Sequence, residues 1–276
     1  MNRKVVLALT LTLLVCTLNV ASNVQPVKAG GSIYIRADGS IDPPTAPILT
    51  LDMVTYTFTD NIYDEIVVER SNIIIDGNGC TLQGSGSGKG FVLSWCPANV
   101  TIKNTNIKGW THGLEVSSSS NNNFLCNNIT NNDLGIYLSA GSSNNIIADN
   151  VISASSNGIQ LIALGWDVSD NKFVSNKITN NYFGIIIDGA SSNMFYHNNF
   201  VNNTYQVWDS WMAYPQIPPS FNIWDHSYPS GGNYWSDYTG VDFHSGPYQN
   251  ETGSDGIGDT SYVIYADNQD RYPLMH

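Results

Sequence analysis

Two acidic residues in the middle of the chain, Glu115 and Asp149, are the candidates for catalytic carboxylates. Glycoside hydrolysis needs two carboxyl groups that flank one bond, at a separation of about 5 to 9.5 Å. Glu115 has no acidic equivalent one repeat further on, and Asp149 occupies a different position in the repeat. We therefore assign no catalytic residue and expect a protein that does not catalyse a reaction, with a polysaccharide hydrolase or lyase as the alternative.

Aromatic side chains offer a second kind of chemistry, because their flat faces stack on sugar rings. Six candidates for a carbohydrate-binding platform lie in the middle and towards the end of the chain: Tyr137, Trp166, Tyr196, Trp208, Trp211 and Trp235. If these rings are exposed, they can bind a polysaccharide or a cell-surface glycan. The competing explanation for each of them is packing inside the fold.

A glycine-rich acidic segment near the C-terminus is the candidate metal site. Asp255 and Asp259 enclose three residues that include two glycines, and Asp242 precedes them. Carboxylate oxygens of this kind are the ligands that calcium prefers, although the full spacing of an EF-hand loop is absent. The histidines are scattered, which makes copper the weaker alternative. Calcium is therefore the cofactor that the sequence suggests.

The first 29 residues have the pattern of a signal peptide. Arg3 and Lys4 precede an apolar run over residues 5–15, and Ala29 closes a small-residue cleavage site. No later stretch approaches the ~18 apolar residues that span a bilayer. We expect a secreted or cell-surface protein with no membrane span after cleavage, and an uncleaved anchor is the alternative.

Glycosylation sequons agree with export. They begin at four asparagines: Asn99, Asn128, Asn202 and Asn250. Three cysteines remain after cleavage, namely Cys80, Cys96 and Cys126. An odd number permits at most one disulfide within the chain, and the sequence leaves open whether one forms.

The charge balance restricts the partner. Cleavage leaves 8 basic residues against 23 acidic ones, a formal charge of −15. Such a chain repels nucleic acid and anionic lipid. It also has few lysines and arginines with which to hold an acidic polysaccharide, so we expect no nucleic-acid partner and disfavour acidic substrates.

A repeat of 22 to 26 residues must position these side chains. Its anchor residues follow one another at intervals of 22, 23, 26 and 22: Ile107, Ile129, Ile152, Ile178 and Phe200. The positions five before, seven after and nine after each anchor are apolar almost throughout. Between the last two lies a chemically mixed column: Glu115, Tyr137, Gln160, Ile186 and Trp208. This alternation predicts a strand with one buried face.

A second column, two positions before each anchor, consists almost entirely of asparagine: Thr105, Asn127, Asn150, Asn176 and Asn198. Asparagine tolerates left-handed turns, and stacked copies bond amide to amide. No segment has a helical apolar period, so each unit buries its apolar face only by stacking on its neighbours. We predict an all-β solenoid with an asparagine ladder.

The flanks of the repeat divide the chain further. Residues 30–70 are expected to form an N-terminal edge strand, a cap and the first coil, followed by repeats over 71–209. Residues 210–276 are rich in aromatic residues, proline and glycine, and we expect them to form an irregular C-terminal cap.

At roughly residues 62–274 the chain resembles the NosD-type periplasmic copper-binding family, also described as a carbohydrate-binding and sugar-hydrolysis domain of the pectin-lyase-like superfamily. The most specific segments are 232–238, 255–260 and 268–274, which are similar to the ends of secreted archaeal β-helix proteins. The resemblance implies a right-handed parallel β-helix with three sheets per coil. It leaves the activity open, because fold does not imply function.

Together these observations predict a secreted, non-catalytic β-helix that binds carbohydrate or acts at the cell surface. The enzyme named above is the first alternative. A NosD-like copper-binding protein is the second.

Overall fold

The computed structural model describes residues 31–95, 97–163, 165–213, 219–265 and 267–275. These residues form a right-handed parallel β-helix whose three long sheets, A, B and C, run along the helix axis. The fold class predicted from the repeat and from the family resemblance is confirmed. The predicted signal peptide and Cys96 lie outside the described residues.

Sheet A is built from the longest strands. In spatial order these are β2 Ile41–Asp42, β1 Ser32–Ile35, β5 Glu65–Val68, β8 Lys89–Ser94, β11 His112–Ser117, β14 Leu134–Ser139, β17 Asn157–Ile162, β20 Phe183–Asp188 and β23 Tyr205–Asp209. From β5 to β23 all neighbours are parallel.

Sheets B and C complete each coil with shorter strands. Sheet B contains β3 Ile48–Leu49, β4 Thr55–Phe58, β6 Ile73–Asp76, β9 Val100–Lys103, β12 Asn123–Leu125, β15 Ile146–Ala148, β18 Lys172–Val174 and β21 Met194–Tyr196. Sheet C contains β7 Thr81–Gln83, β10 Asn106–Lys108, β13 Asn128–Thr130, β16 Val151–Ser153, β19 Lys177–Thr179, β22 Asn199–Val201 and β24 Tyr234–Trp235. From β6 onward each coil visits the sheets in the order B, C, A.

The segment after β23 packs against the last coil. It contains the 3-10 helix Ser210–Met212 and two antiparallel hairpins, formed by β25 His244–Ser245 with β26 Glu251–Thr252 and by β27 Tyr262–Tyr265 with β28 Asn268–Asp270. Within the described residues, no helix has the length and apolar character that a membrane crossing requires.

The apolar columns of the repeat form the core. The anchors lie in sheet C, the position five before them lies in sheet B, and the other two apolar columns lie in sheet A, all facing inward. Aromatic stacks continue from the coils into the cap: Phe195 stacks on Trp224 at 4.3 Å between ring centroids, and Phe200 stacks on Trp235 at 4.3 Å. Burial of each such side chain contributes about 1.5 to 3 kcal/mol.

Three corners close each coil, and each corner has the same design. A residue with a φ near +55°, such as Asp149 at the corner between sheets B and C, turns the chain from one sheet into the next. The next residue, here Asn150, points inward and is buried. Asparagine suits both positions because it tolerates the left-handed conformation and carries both a donor and an acceptor.

The predicted asparagine ladder exists and is one of three in the described part of the chain. In each, a side-chain oxygen accepts the backbone N–H of the counterpart in the preceding coil. Where both residues are asparagine, Oδ1 also accepts from Nδ2, as Asn150 does from the N and the Nδ2 of Asn127 at 2.8 and 3.1 Å. The second ladder runs through Asn122, Asn145, Asn171, Asn193 and Asn222. The third runs through Asn132, Ser155, Asn181 and Asn203.

Strand β28 terminates two of these ladders. Asn198 donates to Asn233 in the cap, and the backbone N of Asn233 donates to Oδ2 of Asp270 at 2.6 Å. Asn268, two residues before Asp270 on the same strand, ends the second ladder by accepting the backbone N–H of Asn222 at 3.0 Å. The cap therefore satisfies the polar groups that the last coil leaves open, as a buried strand end requires.

At the opposite end of the helix, residues 31–70 extend sheets A and B and then end each of them with a short antiparallel strand. Strand β1 adds in parallel to β5 in sheet A, and β2 pairs with it antiparallel on the outside. The hairpin of β3 and β4 does the same for sheet B. Two-residue outer strands leave little edge for another chain to join.

Candidate functional site

The outer face of sheet A carries the chemically mixed column of the repeat. Its residues lie in register on consecutive strands: Val67, Val92, Glu115, Tyr137, Gln160, Ile186 and Trp208. A second outward column runs beside it, through Lys89, His112, Leu134, Asn157, Phe183 and Tyr205. These columns hold the candidate site.

An ionic cluster, Lys89, His112 and Glu115, occupies the N-terminal part of this face. The Nζ of Lys89 lies 2.6 Å from Oε1 of Glu115, and the Nδ1 of His112 donates to Oε2 at 2.6 Å. Glu115 is 8 % exposed. Burial pushes its pKa up, but the hydrogen bonds from His112 and Lys89 outweigh burial and hold the pKa below its ordinary value. Tyr137 on the next coil stacks on the His112 ring, with centroids 5.0 Å apart.

An aromatic cluster, Tyr182, Phe183, Tyr205 and Trp208, occupies the C-terminal part of the same face. Phe183 stacks on Tyr205 at 5.1 Å between centroids and meets Trp208 at 5.7 Å. Tyr182 is 53 % exposed and Tyr205 is 41 % exposed. This surface therefore offers contiguous aromatic rings to the solvent, which is the geometry that binds sugar rings.

A cleft of about 200 Å³ opens beside the aromatic cluster, between the start of β23 and the cap. Its walls include Tyr205, Gln206, Asp237 and Tyr262. The Tyr262 hydroxyl donates to the Asp237 carboxylate at 3.2 Å, and burial raises the pKa of Tyr262. The cleft thus adds hydroxyl and carboxylate groups next to the exposed rings.

Two exposed tryptophans lie beyond the C-terminal ends of strands of sheet A. Trp95 follows β8 directly and is 81 % exposed, and Trp166 lies in the loop after β17 and is 72 % exposed. Trp166 was a predicted sugar-binding residue, whereas Trp95 was missed. The exposure of Trp95 could have been predicted from the sequence, because Trp95 follows the end of a strand and lies outside the inward-facing columns of the repeat.

The other predicted aromatic residues are dispersed. Tyr137 and Trp208 lie on sheet A, but Tyr196 faces outward from sheet B and stacks on His226 at 4.7 Å. Trp211 is half-buried and packs near Tyr265. The expectation that Trp235 is an exposed platform residue is wrong: it is 1 % exposed, because it is packed between Phe200 and Tyr262.

The two candidate carboxylates do not form a catalytic pair. Glu115 lies on sheet A, while Asp149 lies at the corner between sheets B and C. The partners of Glu115 are a lysine and a histidine, so the carboxyl pair that glycoside hydrolysis requires is not assembled from these residues.

The predicted calcium ligands serve as hydrogen-bond acceptors within the cap. Asp242 accepts the backbone N–H groups of Asp255 and Gly256, and Asp259 accepts from the ring and the backbone of His244. Among the residues described, no three His, Cys, Asp or Glu side chains lie close enough to hold a metal ion. The carboxylates of these loops thus bond to backbone and side-chain groups of the cap, and calcium binding stays a prediction.

The sequence that forms this geometry matches a known protein family. A family model described as "Periplasmic copper-binding protein (NosD)" matches residues 35–240, which is most of the chain. The chain belongs to the NosD family. The match covers the strands of sheet A that carry the ionic and aromatic clusters.

The copper in the NosD family description finds no fitting ligand set in the part of the chain that the structure describes. His112 is bonded to Glu115, His244 is bonded to Asp259, and the Nε2 of His197 donates to a backbone oxygen at 2.8 Å. These rings lie on sheet A, in the cap loops and at a corner of the last coil. His226 meets the same Ser230 hydroxyl as His197, but no third His, Cys, Asp or Glu of the described residues joins this pair. Copper sites need several nitrogen or sulfur ligands around one point, so these residues do not fit one.

Solved structures also resemble this NosD-family chain. Two crystal structures of the periplasmic alginate epimerase AlgG, one of them a double mutant, match with 21% sequence identity and a TM-score of 0.43 over 51% of this chain. The match covers 35% of the AlgG chain and 33% of the mutant, so the present chain spans about a third of their length. No curated protein matches.

The remaining predicted sites of this NosD-family chain lie at corners and strand starts. The four sequon asparagines are exposed: Asn99, Asn128, Asn202 and Asn250. Cys126 is exposed and Cys80 is half-buried, and within the described part of the chain no disulfide joins them. Glycosylation stays a prediction.

Proposed function

We propose that this protein acts outside the cytoplasm, in the periplasm or at the cell surface, as a β-helix that binds a neutral polysaccharide or glycan without cleaving it. The observation that carries this function is the exposed aromatic cluster on the outer face of sheet A. The family match, whose description names a periplasmic protein, supports the location.

The fold itself does not require these rings. The positions that hold Phe183 and Tyr205 hold His112, Leu134 and Asn157 in other coils, with the same strand pairing. Solvent-facing aromatic groups that contact one another in a patch cost solubility, and they are typical of binding surfaces. A stacked ring contributes about 0.5 to 1.5 kcal/mol beyond the area that it buries.

The charge of the chain favours a neutral ligand. Eleven basic residues face 23 acidic ones, giving a formal net charge of −12 for the whole sequence. Anionic polymers are repelled at long range by such a chain. A neutral sugar carries no charge, and aromatic rings stack on the C–H faces of its ring irrespective of the overall field.

Retention on insoluble neutral polysaccharides tests this function. We expect the wild-type protein to be retained on at least one polymer of a panel, with no sugar released into solution. Tyr205→Ala and Trp208→Ala should each lower the affinity about tenfold, because each removes one stacking face worth about 1.4 kcal/mol.

The matched control is Tyr63→Ala, which removes an exposed tyrosine in the N-terminal part of the chain. It should leave retention unchanged. Retention that is indifferent to Tyr205 and Trp208 would exclude the aromatic cluster as the binding surface. Release of reducing sugar would replace the binding function by an enzymatic one.

A further inference from the structure

The ionic cluster of Lys89, His112 and Glu115 is not needed for folding. The position of Glu115 is filled by valine, tyrosine, glutamine, isoleucine or tryptophan in other coils with the same register. A carboxylate that is 8 % exposed loses most of its hydration, and an ion pair in such a place is commonly no more stable than apolar packing. Charged groups that the fold does not need, gathered on one exposed face, point to a ligand.

The hydrogen bonds within the cluster fix what it can offer. An ionised carboxylate only accepts, so Nδ1 of His112 carries the proton that it donates to Glu115, and in the neutral form of the ring Nε2 is an acceptor. Lys89 donates one of its three ammonium N–H groups to Glu115 at 2.6 Å, and its side chain is 40 % exposed. The cluster thus presents an acceptor and a donor, while the glutamate balances the lysine charge.

A sugar hydroxyl both donates and accepts hydrogen bonds, so it matches this pair of groups. A free anion matches it less well, because the lysine charge is already compensated and a carboxylate lies behind it. The chemistry of the cluster therefore favours the hydroxyl groups of a neutral sugar.

The strands between the two clusters continue the same surface. Tyr137 follows the His112 ring, and on β17 the Asn157 side chain donates to Gln160 at 3.2 Å, which places two amides on the outer face. The aromatic cluster begins on the next strand. Neighbouring strands lie about 4.8 Å apart, so β11 and β20 are separated by about 14 Å along the helix axis.

We infer that the outer face of sheet A is one extended site, in which a neutral polysaccharide chain lies along the helix axis and crosses the strands. Its sugar rings stack on the aromatic cluster, and hydroxyl groups several sugars away bind Nε2 of His112 and Nζ of Lys89. This inference rests on the proposed function and adds to it the direction of the chain, a second subsite and a minimum ligand length.

The test uses soluble oligosaccharides of increasing length, prepared from the neutral polymer that retains the protein, with binding measured by calorimetry. His112→Phe keeps the stacking on Tyr137 but removes both ring nitrogens. Glu115→Gln keeps the shape of the side chain but releases the lysine and the histidine from their fixed positions. Each variant should lose about tenfold in affinity for long oligosaccharides, as expected for hydrogen bonds that involve charged or polarised groups.

Short oligosaccharides that reach only the aromatic cluster should bind both variants as they bind the wild type, whereas Tyr205→Ala should weaken the binding of every length. Lys172→Ala, on the outer face of sheet B, is the control and should change nothing. Thermal unfolding of each variant identifies any loss of fold. If His112→Phe is unfolded, Glu115→Gln alone tests the ionic cluster.

The outcomes separate the two claims. If His112→Phe and Glu115→Gln leave the affinity for long chains intact while Tyr205→Ala lowers it, the extended site is wrong and the proposed function stands. If no neutral oligosaccharide binds, the proposed function fails with it. If an anionic polymer such as polygalacturonate binds more tightly than neutral chains and loses this binding in Lys89→Ala, the ligand class is wrong.

Discussion

A single ladder asparagine, Asn176, makes four hydrogen bonds through its side chain. The Oδ1 of Asn176 accepts the backbone N and the Nδ2 of Asn150, both at 3.0 Å, and its own Nδ2 donates to Asn198 and to the carbonyl of Ile147. All of these groups are buried. A residue of this type therefore joins three successive coils, which explains why the corner asparagines recur although they are poor strand formers.

Asn176→Ala should destabilise the protein by about 3 kcal/mol or more. The substitution leaves the buried backbone N–H of Asn150 without its acceptor, which costs about 1 to 3 kcal/mol, and it also removes the hydrogen bonds from Nδ2 of Asn176 to Asn198 and Ile147. Urea denaturation measures the loss of unfolding free energy. Asn199→Ala, an exposed asparagine on β22, is the matched control and should stay within about 0.5 kcal/mol of the wild type. Equal losses in the two variants would show that the ladder is not what makes Asn176 important.

Individual site residues were harder to predict than the fold, and Lys89 shows why. It pairs in register with His112, but a Gly-Ser-Gly-Ser-Gly segment at residues 84–88 lengthens its coil and shifts it out of the repeat spacing. The ionic cluster becomes visible only when strand pairing is known. The prediction that Trp235 is exposed was wrong for a different reason. Its local sequence does not distinguish a ring packed inside a cap from a ring exposed to the solvent.

At the scale of the elements, spacing alone predicted the coils, because inward columns at constant offsets can be buried only by stacking. One ladder was predicted from the column that contains Asn127 and Asn150. The other two lie at equally constant offsets, as in Asn145 with Asn171 and Asn181 with Asn203. They were missed because so many asparagines in this sequence occupy exposed corners that residue type alone does not separate inward from outward positions.

Strand β28 contributes a buried carboxylate at the end of a ladder. Asp270 is fully buried and accepts hydrogen bonds from Asn233, the Trp235 indole and the backbone of Tyr272. Burial raises its pKa to about 7, although these hydrogen bonds act in the opposite direction. The protonated form is therefore favoured in the folded state relative to the unfolded chain, where an aspartate titrates near about 3.9.

Asp270→Asn should reveal this titration. A raised pKa contributes stability that is fully present below about pH 4 and is lost as the pH rises through about 7. The stability of the wild type relative to Asp270→Asn should therefore fall between pH 4 and pH 8, by an amount on the order of 4 kcal/mol. Urea denaturation of both proteins at several pH values measures it.

Comparing the two proteins cancels much of the contribution of carboxylates with lowered pKa values, such as Glu115 and Asp225, because both proteins share them. A difference that stays constant or grows with pH would mean that the ladder donors keep Asp270 ionised. In that case the ladder, and not burial, sets the charge at this end of the helix.

At the scale of the whole molecule, the excess of acidic residues opposes folding through mutual repulsion. Salt screens such repulsion over about 10 Å at 0.1 M ionic strength. Raising NaCl from 10 to 150 mM should therefore increase the melting temperature by about 2 to 4 °C if it recovers about 1 kcal/mol. Sucrose at matched osmolality is the control for excluded-solute effects. A lower melting temperature in salt would mean that the ion pairs, such as Arg271 with Asp225, outweigh the repulsion.

The ladders also make the length of this molecule adjustable. Each ladder side chain bonds only within its own coil and to the coils next to it, and β28 receives the last residues of two of the ladders. A duplicated coil inserted at a corner, for example between Ile129 and Ile152, would find the same partners above and below. It would lengthen the outer face of sheet A by one strand spacing and leave both ends untouched. The number of coils is then the variable that sets the length of this outer face.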